Sequence, residues 1–270
     1  MRFFCCTALV TILGTFNAGS AERPIIVSQD GRGDFQGADE KPIQAAIEKA
    51  IKQGGGDILI RPGTYDISRG IFIKDGQHIA LRGADRESVI LKLPPLAFAE
   101  SKTAASAGST EISVGRMQNI TVGMRLRIEA DGEVEAFTKK PKPYLLAVVK
   151  TVEAGKITLT EALKFPVPAG TLIRHEDAPN LIEMRGKCED VLIGKLTLDG
   201  GRAAADPAAR GHAQLCGVMA AGAYDYEKGR TGPPVKQIAV QDCIIQNTFG
   251  RGVAFYSVEE AAVERCAITN

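Results

Sequence analysis

The 270-residue sequence has no tryptophan, 5 tyrosines and 10 phenylalanines. It also lacks an excess of either charge, with 33 Lys and Arg against 32 Asp and Glu. Nucleic-acid binding needs a basic surface for phosphate contacts, so no nucleic-acid partner is expected. Its 6 cysteines include no C-x-x-C pair, which argues against a zinc site. No Asp-Asp pair occurs anywhere, and beyond the first residues no apolar run approaches the length of a membrane span. What is present is 29 glycines, 44% hydrophobic and 24% charged residues. That is a globular composition, and many glycines with few large aromatics suit short strands joined by tight turns.

The N-terminus reads as a secretory signal. Arg2 supplies the positive end, "FFCCTALVTILGTF" the apolar stretch and "NAGSA" the small-residue cleavage region, with the cut placed after Ala21. Removing Arg2 leaves 32 basic against 32 acidic residues. A secreted or periplasmic protein with no membrane span after cleavage is expected.

In "DEKPIQAAIEKAIKQGGGDILIRPGTY", Ile43, Ile47 and Ile51 recur every four residues with Ala46 and Ala50 beside them. This predicts an amphipathic helix with Asp39 as N-cap, Pro42 in the first turn and the triple glycine 54–56 at its end. "DILI" then reads as a buried strand and "RPGTY" as a turn. Val89, Leu91 and Leu93 alternate with Ile90 and Lys92, as in a strand. Residues 103–176 change texture. Five short alternating runs, among them "MRLRI" with Met124, Leu126 and Ile128 inward, predict a small antiparallel barrel inserted into the main fold.

From about residue 177 the first texture returns. "VLIGKLTLDG", "IAVQDCIIQN" and "AAVERCAITN" superimpose, aligning Ile193, Val240 and Val263, then Leu196, Cys243 and Cys266, then Leu198, Ile245 and Ile268. One strand and one turn per repeat of 266 − 243 = 23 residues is the period of a solenoid. Leucine at the cysteine position of one copy makes the thiols core filler, with a disulfide between coils as the alternative. Asn247 and Asn270 share a turn position where left-handed backbone and stacked amides are expected. No cap follows Asn270, so a fragment of a longer chain is expected.

The run "GDFQGADEKPIQAAIEKAIKQGGGDILIRPGTY", with "LRGAD" and "LTLDGG", resembles the pectate-lyase-like superfamily, in particular the domain shared by rhamnogalacturonases and epimerase-like pectate lyases. The resemblance covers roughly residues 24–95 and 177–270. It implies an all-β fold, a right-handed parallel β-helix with the amphipathic helix capping its N-terminal end. The resulting organisation is a signal over 1–21, cap and first coils over 22–102, the barrel over 103–176 and further coils over 177–270. It also implies a polysaccharide ligand or substrate.

Which chemistry follows is left open. "GRGVAFYS" is similar to a polygalacturonase G-H-G motif, but Arg251 stands where histidine would, between Gly250 and Gly252. Hydrolysis would need two carboxylates at set separation. Lyase chemistry would need a base and a cation, for which Lys195, Arg251 and Arg265 are candidates. Ca2+ is a further candidate for a lyase, held by Asp199, Asp242 or Glu264. The long loop within 200–236 offers His212 as a base and Asp225 and Tyr226 as substrate contacts. The catalytic set is therefore Arg251, Lys195, His212 and Asp242, and the substrate-binding set Tyr226, Tyr256, Asp225 and Arg265. No metal ligands are assigned. His78 and His175 have no evident partner. The competing class is a carbohydrate-binding β-helix without activity.

Overall fold

A computed structural model describes residues 23–130, 143–204, 215–225 and 228–269. The signal region, most of "DGEVEAFTKKPKPY", Asn270, His212 and Tyr226 lie outside the described residues.

Three parallel sheets wind into a right-handed β-helix. The first contains Phe35–Gln36, Ile25–Ser28, Gly56–Ile60, Gln77–Gly83, Glu189–Gly194, Val235–Gln241 and Val258–Glu264, in that spatial order. The second stacks Gly63–Asp66, Val89–Lys92, Thr197–Asp199, Ile244–Gln246 and Ala267–Thr269. The third stacks Ile71–Lys74, Ile182–Arg185, Val218–Ala221 and Val253–Tyr256. Each coil visits the three sheets in turn, so identical rows from successive coils meet inside. Ile193 pairs with Val240, and Val240 with Val263, in register. Val240 is fully buried, whereas Val263 is 43% exposed on the outermost described coil. Cys243 lies in the core as a free thiol, and burial pushes it up to about 12. At Asn247 the backbone is left-handed, and its Nδ2 donates to Asp199 Oδ1 of the coil below at 3.1 Å.

Helix α1, Glu40–Lys52, closes the N-terminal end. The Asp39 side chain accepts from the Lys41 N–H, and Ile43, Ala46, Ile47 and Ala50 are fully buried against the first coils. The cap works because it covers both the apolar cross-section and the open strand edges. Gln44 bonds the backbone of Phe72, Glu40 accepts from Ser68 N–H, and Gln29 Nε2 donates to Thr64 O. Glycine is required at position 55, where φ is +141° and a Cβ would come within 2.8 Å of His78 Cβ.

The insert is a closed antiparallel barrel in the order Arg125–Glu129, Tyr144–Glu153, Lys156–Leu159, Glu111–Gln118, Phe98–Ser101 and Leu172–His175. Closure removes its sheet edges. It interrupts the second coil between Val89–Lys92 and Ile182–Arg185, the corner where the third coil carries its long loop. Leu96, Phe98, Leu215 and Phe249 form an apolar seam joining barrel to coils at that corner.

Three expectations change. The barrel has six strands rather than five, because Phe98–Ser101 also belongs to it. "RPGTY" is not only a turn: Gly63–Asp66 is a strand of the second sheet, and Tyr65 is fully buried with its hydroxyl donating to Arg61 O at 3.0 Å. His78 does have a partner, with Nδ1 lying 2.8 Å from Asp190 Oδ2.

Candidate functional site on the third sheet

Alternation in "IEMR" turns Ile182 and Met184 into the core, both fully buried, and sends Glu183 and Arg185 outward. Stacking in register then builds two outward rows. One reads Phe72, Glu183, Met219, Ala254, and the other Lys74, Arg185, Ala221, Tyr256. Phe72, 43% exposed, stands at one end of this face and Tyr256 at the other, three strand spacings or roughly 14 Å along the stack.

Glu183 is the unusual member. It faces outward yet is only 4% exposed. Its Oε2 accepts from Asn180 Nδ2 at 2.8 Å, and Asn180 Oδ1 in turn accepts the Cys216 N–H at 2.8 Å. Arg185 Nε makes an ion pair with Glu183 Oε1, but without hydrogen-bond alignment, so that oxygen has no donor among the described residues. That oxygen is held by the Arg185 charge alone, a looser match than the aligned bond on its partner oxygen. Burial also raises the Cys216 thiol next to this cluster. A fixed carboxylate beside a guanidinium, with a ring at each end of the face, offers a ligand an acceptor, a positive charge and stacking surfaces.

The residues singled out from sequence fall into separate places. Lys195, Asp242 and Arg265 stack on one another at the corner between the first and second sheets, across the coil from the third sheet. All three have left-handed backbone, with φ of 53°, 55° and 53°. Arg265 donates to both Asp242 oxygens, at 2.7 and 3.0 Å, and this guanidinium holds the Asp242 carboxyl below its ordinary range. Arg251 is exposed in the corner leading to Val253–Tyr256, and its carbonyl accepts the Gly217 N–H at 3.1 Å. The glycine after it has a packing reason, since a Cβ at 252 would come within 2.5 Å of Ile268 Cγ2. Tyr256 is on the third-sheet face. Asp225 sits in a two-strand hairpin and accepts the Lys228 N–H at 2.9 Å.

Asp199, Asp242 and Glu264 do not gather into a Ca2+ site. Asp199 accepts from Gly201, Gln246 and Asn247, while Asp242 and Glu264 both bind Arg265. Among the described residues no three His, Cys, Asp or Glu side chains cluster as metal ligands. Glu183 and Asn180 escaped the sequence reading. The one available signal was a carboxylate in the outward slot of "LIEMR", a pattern shared with many solvated strands.

Geometry alone therefore defines the class: a parallel β-helix with an inserted barrel and a polar, ring-flanked sheet face. No protein-family model matches the chain, and no curated protein matches it. Solved structures do. The tailspike gp49 of Pseudomonas phage LKA1 is 18% identical over 85% of this chain and 41% of its own, with a TM-score of 0.29. The tailspike gp61 of Pseudomonas phage phi297 is 9% identical over 84% of this chain and 41% of its own, with a TM-score of 0.30. The Gp54 tailspike of Acinetobacter baumannii bacteriophage AP22, solved with A. baumannii capsular saccharide, is 10% identical over 83% and 48%, with a TM-score of 0.24. The chain spans less than half the length of each of these proteins.

Proposed function

We propose that the protein acts on an extracellular polysaccharide along the outer face of its third sheet, by lyase-type chemistry on a uronate-containing chain. The observation that carries this reading is Glu183, enclosed at 4% exposure with one oxygen held only by its ion pair to Arg185, between Phe72 and Tyr256. Elimination needs one base and one positive group near the sugar carboxylate, and Glu183 with Arg185 or Lys74 supplies that pair. Hydrolysis needs two carboxylates, whereas the two outward rows contain one. The helix–triple-glycine–strand–PGTY run supports membership of the pectate-lyase-like superfamily. The N-terminal segment supports secretion, and among the described residues no helix is long and apolar enough to cross a membrane.

A binding role without turnover is the second reading. It is favoured by the ion pair to Arg185, which already engages one Glu183 oxygen. A panel of polyuronates and neutral polysaccharides separates the two readings. Ultraviolet absorbance from unsaturated chain ends is expected for the lyase, and binding without new ends for the binder. Neither product nor binding, with the protein folded, sinks both.

A further inference from the structure

On the outer surface of the barrel, register places Arg127 directly opposite Arg174, and Arg174 directly opposite Phe98. Two arginines facing one another across neighbouring strands repel, so each needs a counter-charge. Arg127 has one. Glu176 accepts from its Nε at 2.6 Å and its Nη2 at 2.9 Å, and the Tyr144 ring lies 4.0 Å from its guanidinium carbon. Arg174 has none: its Nε is buried, and it makes no hydrogen bond or ion pair among the described residues. Its cross-strand neighbour Phe98 belongs to the apolar seam of Leu96, Leu215 and Phe249, and Leu172, two residues earlier on the same strand as Arg174, packs against it. Arg174 is half-buried, so the cost falls on its enclosed Nε–H and on its unpaired charge beside Arg127, and an oxyanion would relieve both. The planar fork of arginine suits a carboxylate in particular.

We infer that Arg174 is a seat for the carboxylate of an acidic saccharide, at the seam where the barrel meets the coils. This rests on the saccharide reading above but uses a different element. It makes the inserted barrel part of the binding surface and gives the protein a preference for acidic over neutral chains. No bond forms or breaks there; the seat positions a chain.

The test measures binding of oligogalacturonate, its methyl ester and inorganic sulfate to the intact protein and to Arg174→Gln and Arg174→Lys. The seat predicts that the acid form binds about ten- to a hundred-fold more tightly than the ester. It further predicts that Arg174→Gln lowers this preference about ten-fold while leaving ester binding unchanged, and that Arg174→Lys restores part of it. Equal binding of acid and ester to the unaltered protein overturns the seat and leaves the saccharide reading standing. A preference of the same size in Arg174→Gln does the same. Sulfate binding that depends on Arg174, without any saccharide binding, overturns the saccharide assignment and makes the seat one for free inorganic anions. A thermal melt of Arg174→Gln at or above that of the unaltered protein shows that the substitution did not act through unfolding.

Discussion

The side-chain amide of Gln44 pairs with the backbone of Phe72 as a neighbouring strand would: Phe72 N–H donates to Oε1 at 2.9 Å, and Nε2 donates to Phe72 O at 3.1 Å. One glutamine on α1 thus finishes the open edge of the third sheet at the coil that carries one end of the candidate site. Gln44→Ala should lower stability by about 1 kcal/mol, read by urea denaturation. Because the edge strand would fray first, hydrogen exchange of the amides in Ile71–Lys74 should accelerate more than that of Val218–Ala221.

Tyr65 shows how a buried polar tip anchors a coil. Its hydroxyl reaches Arg61 O, and burial raises the phenol above its ordinary value. The folded state therefore holds the proton more tightly. The contribution is complete below the unfolded value near 10 and is lost as pH rises through the raised folded value. Tyr65→Phe should cost about 1 kcal/mol at neutral pH and flatten the alkaline end of the stability curve.

Acid should loosen the barrel first. Burial lowers His175, so the folded state favours its neutral form; that stability is present above the ordinary value of 6.5 and is lost as pH falls through the lowered one. Arg127 lowers Glu176 and Arg125 lowers Asp177, which adds losses in the same direction at still lower pH. Melting of the protein between pH 7 and pH 5 should show a fall that His175→Gln removes. A pH-independent melt over that range would contradict this assignment.

The thiols test the coil stack. Cys243 is fully buried with its pKa pushed up to about 12, whereas Cys266 is half-buried on the next coil. Alkylation of the native protein at pH 8 should modify Cys266 well before Cys243. Equal rates would mean that the inner rows do not stack as described.

The ladder of Lys195, Asp242 and Arg265 should be dispensable for turnover. Asp242 is engaged by Arg265 and faces away from the third sheet. Asp242→Asn is expected to retain the activity of the unaltered protein in the polyuronate assay.

Much of the fold was legible because it follows from period and side-chain size. Ile43 and Ile47 at helical spacing, and Val240 over Val263 at a 23-residue repeat, each state which face is inward. Tyr65 was hidden because proline and glycine signal a turn locally, while burial of the ring is decided by the coil stacked above. Phe98–Ser101 was hidden because Phe98 serves the seam while Ala99 serves the barrel core, so its four residues show no single polar face. Glu183 was hidden for a third reason. It is bonded by Asn180 and stacked in register beside Met219, which lies a full coil away in sequence. Lys195, Asp242 and Arg265 stood out by their charge alone, and their place in the fold is a recurring left-handed corner.

The most direct measurement is turnover of the preferred polysaccharide by Glu183→Gln, which keeps the shape and the Asn180 contact but removes the proton-exchanging group. A fall in kcat of about a hundred- to ten-thousand-fold is expected, with saccharide binding and circular dichroism unchanged. Full turnover by that variant would contradict the lyase reading.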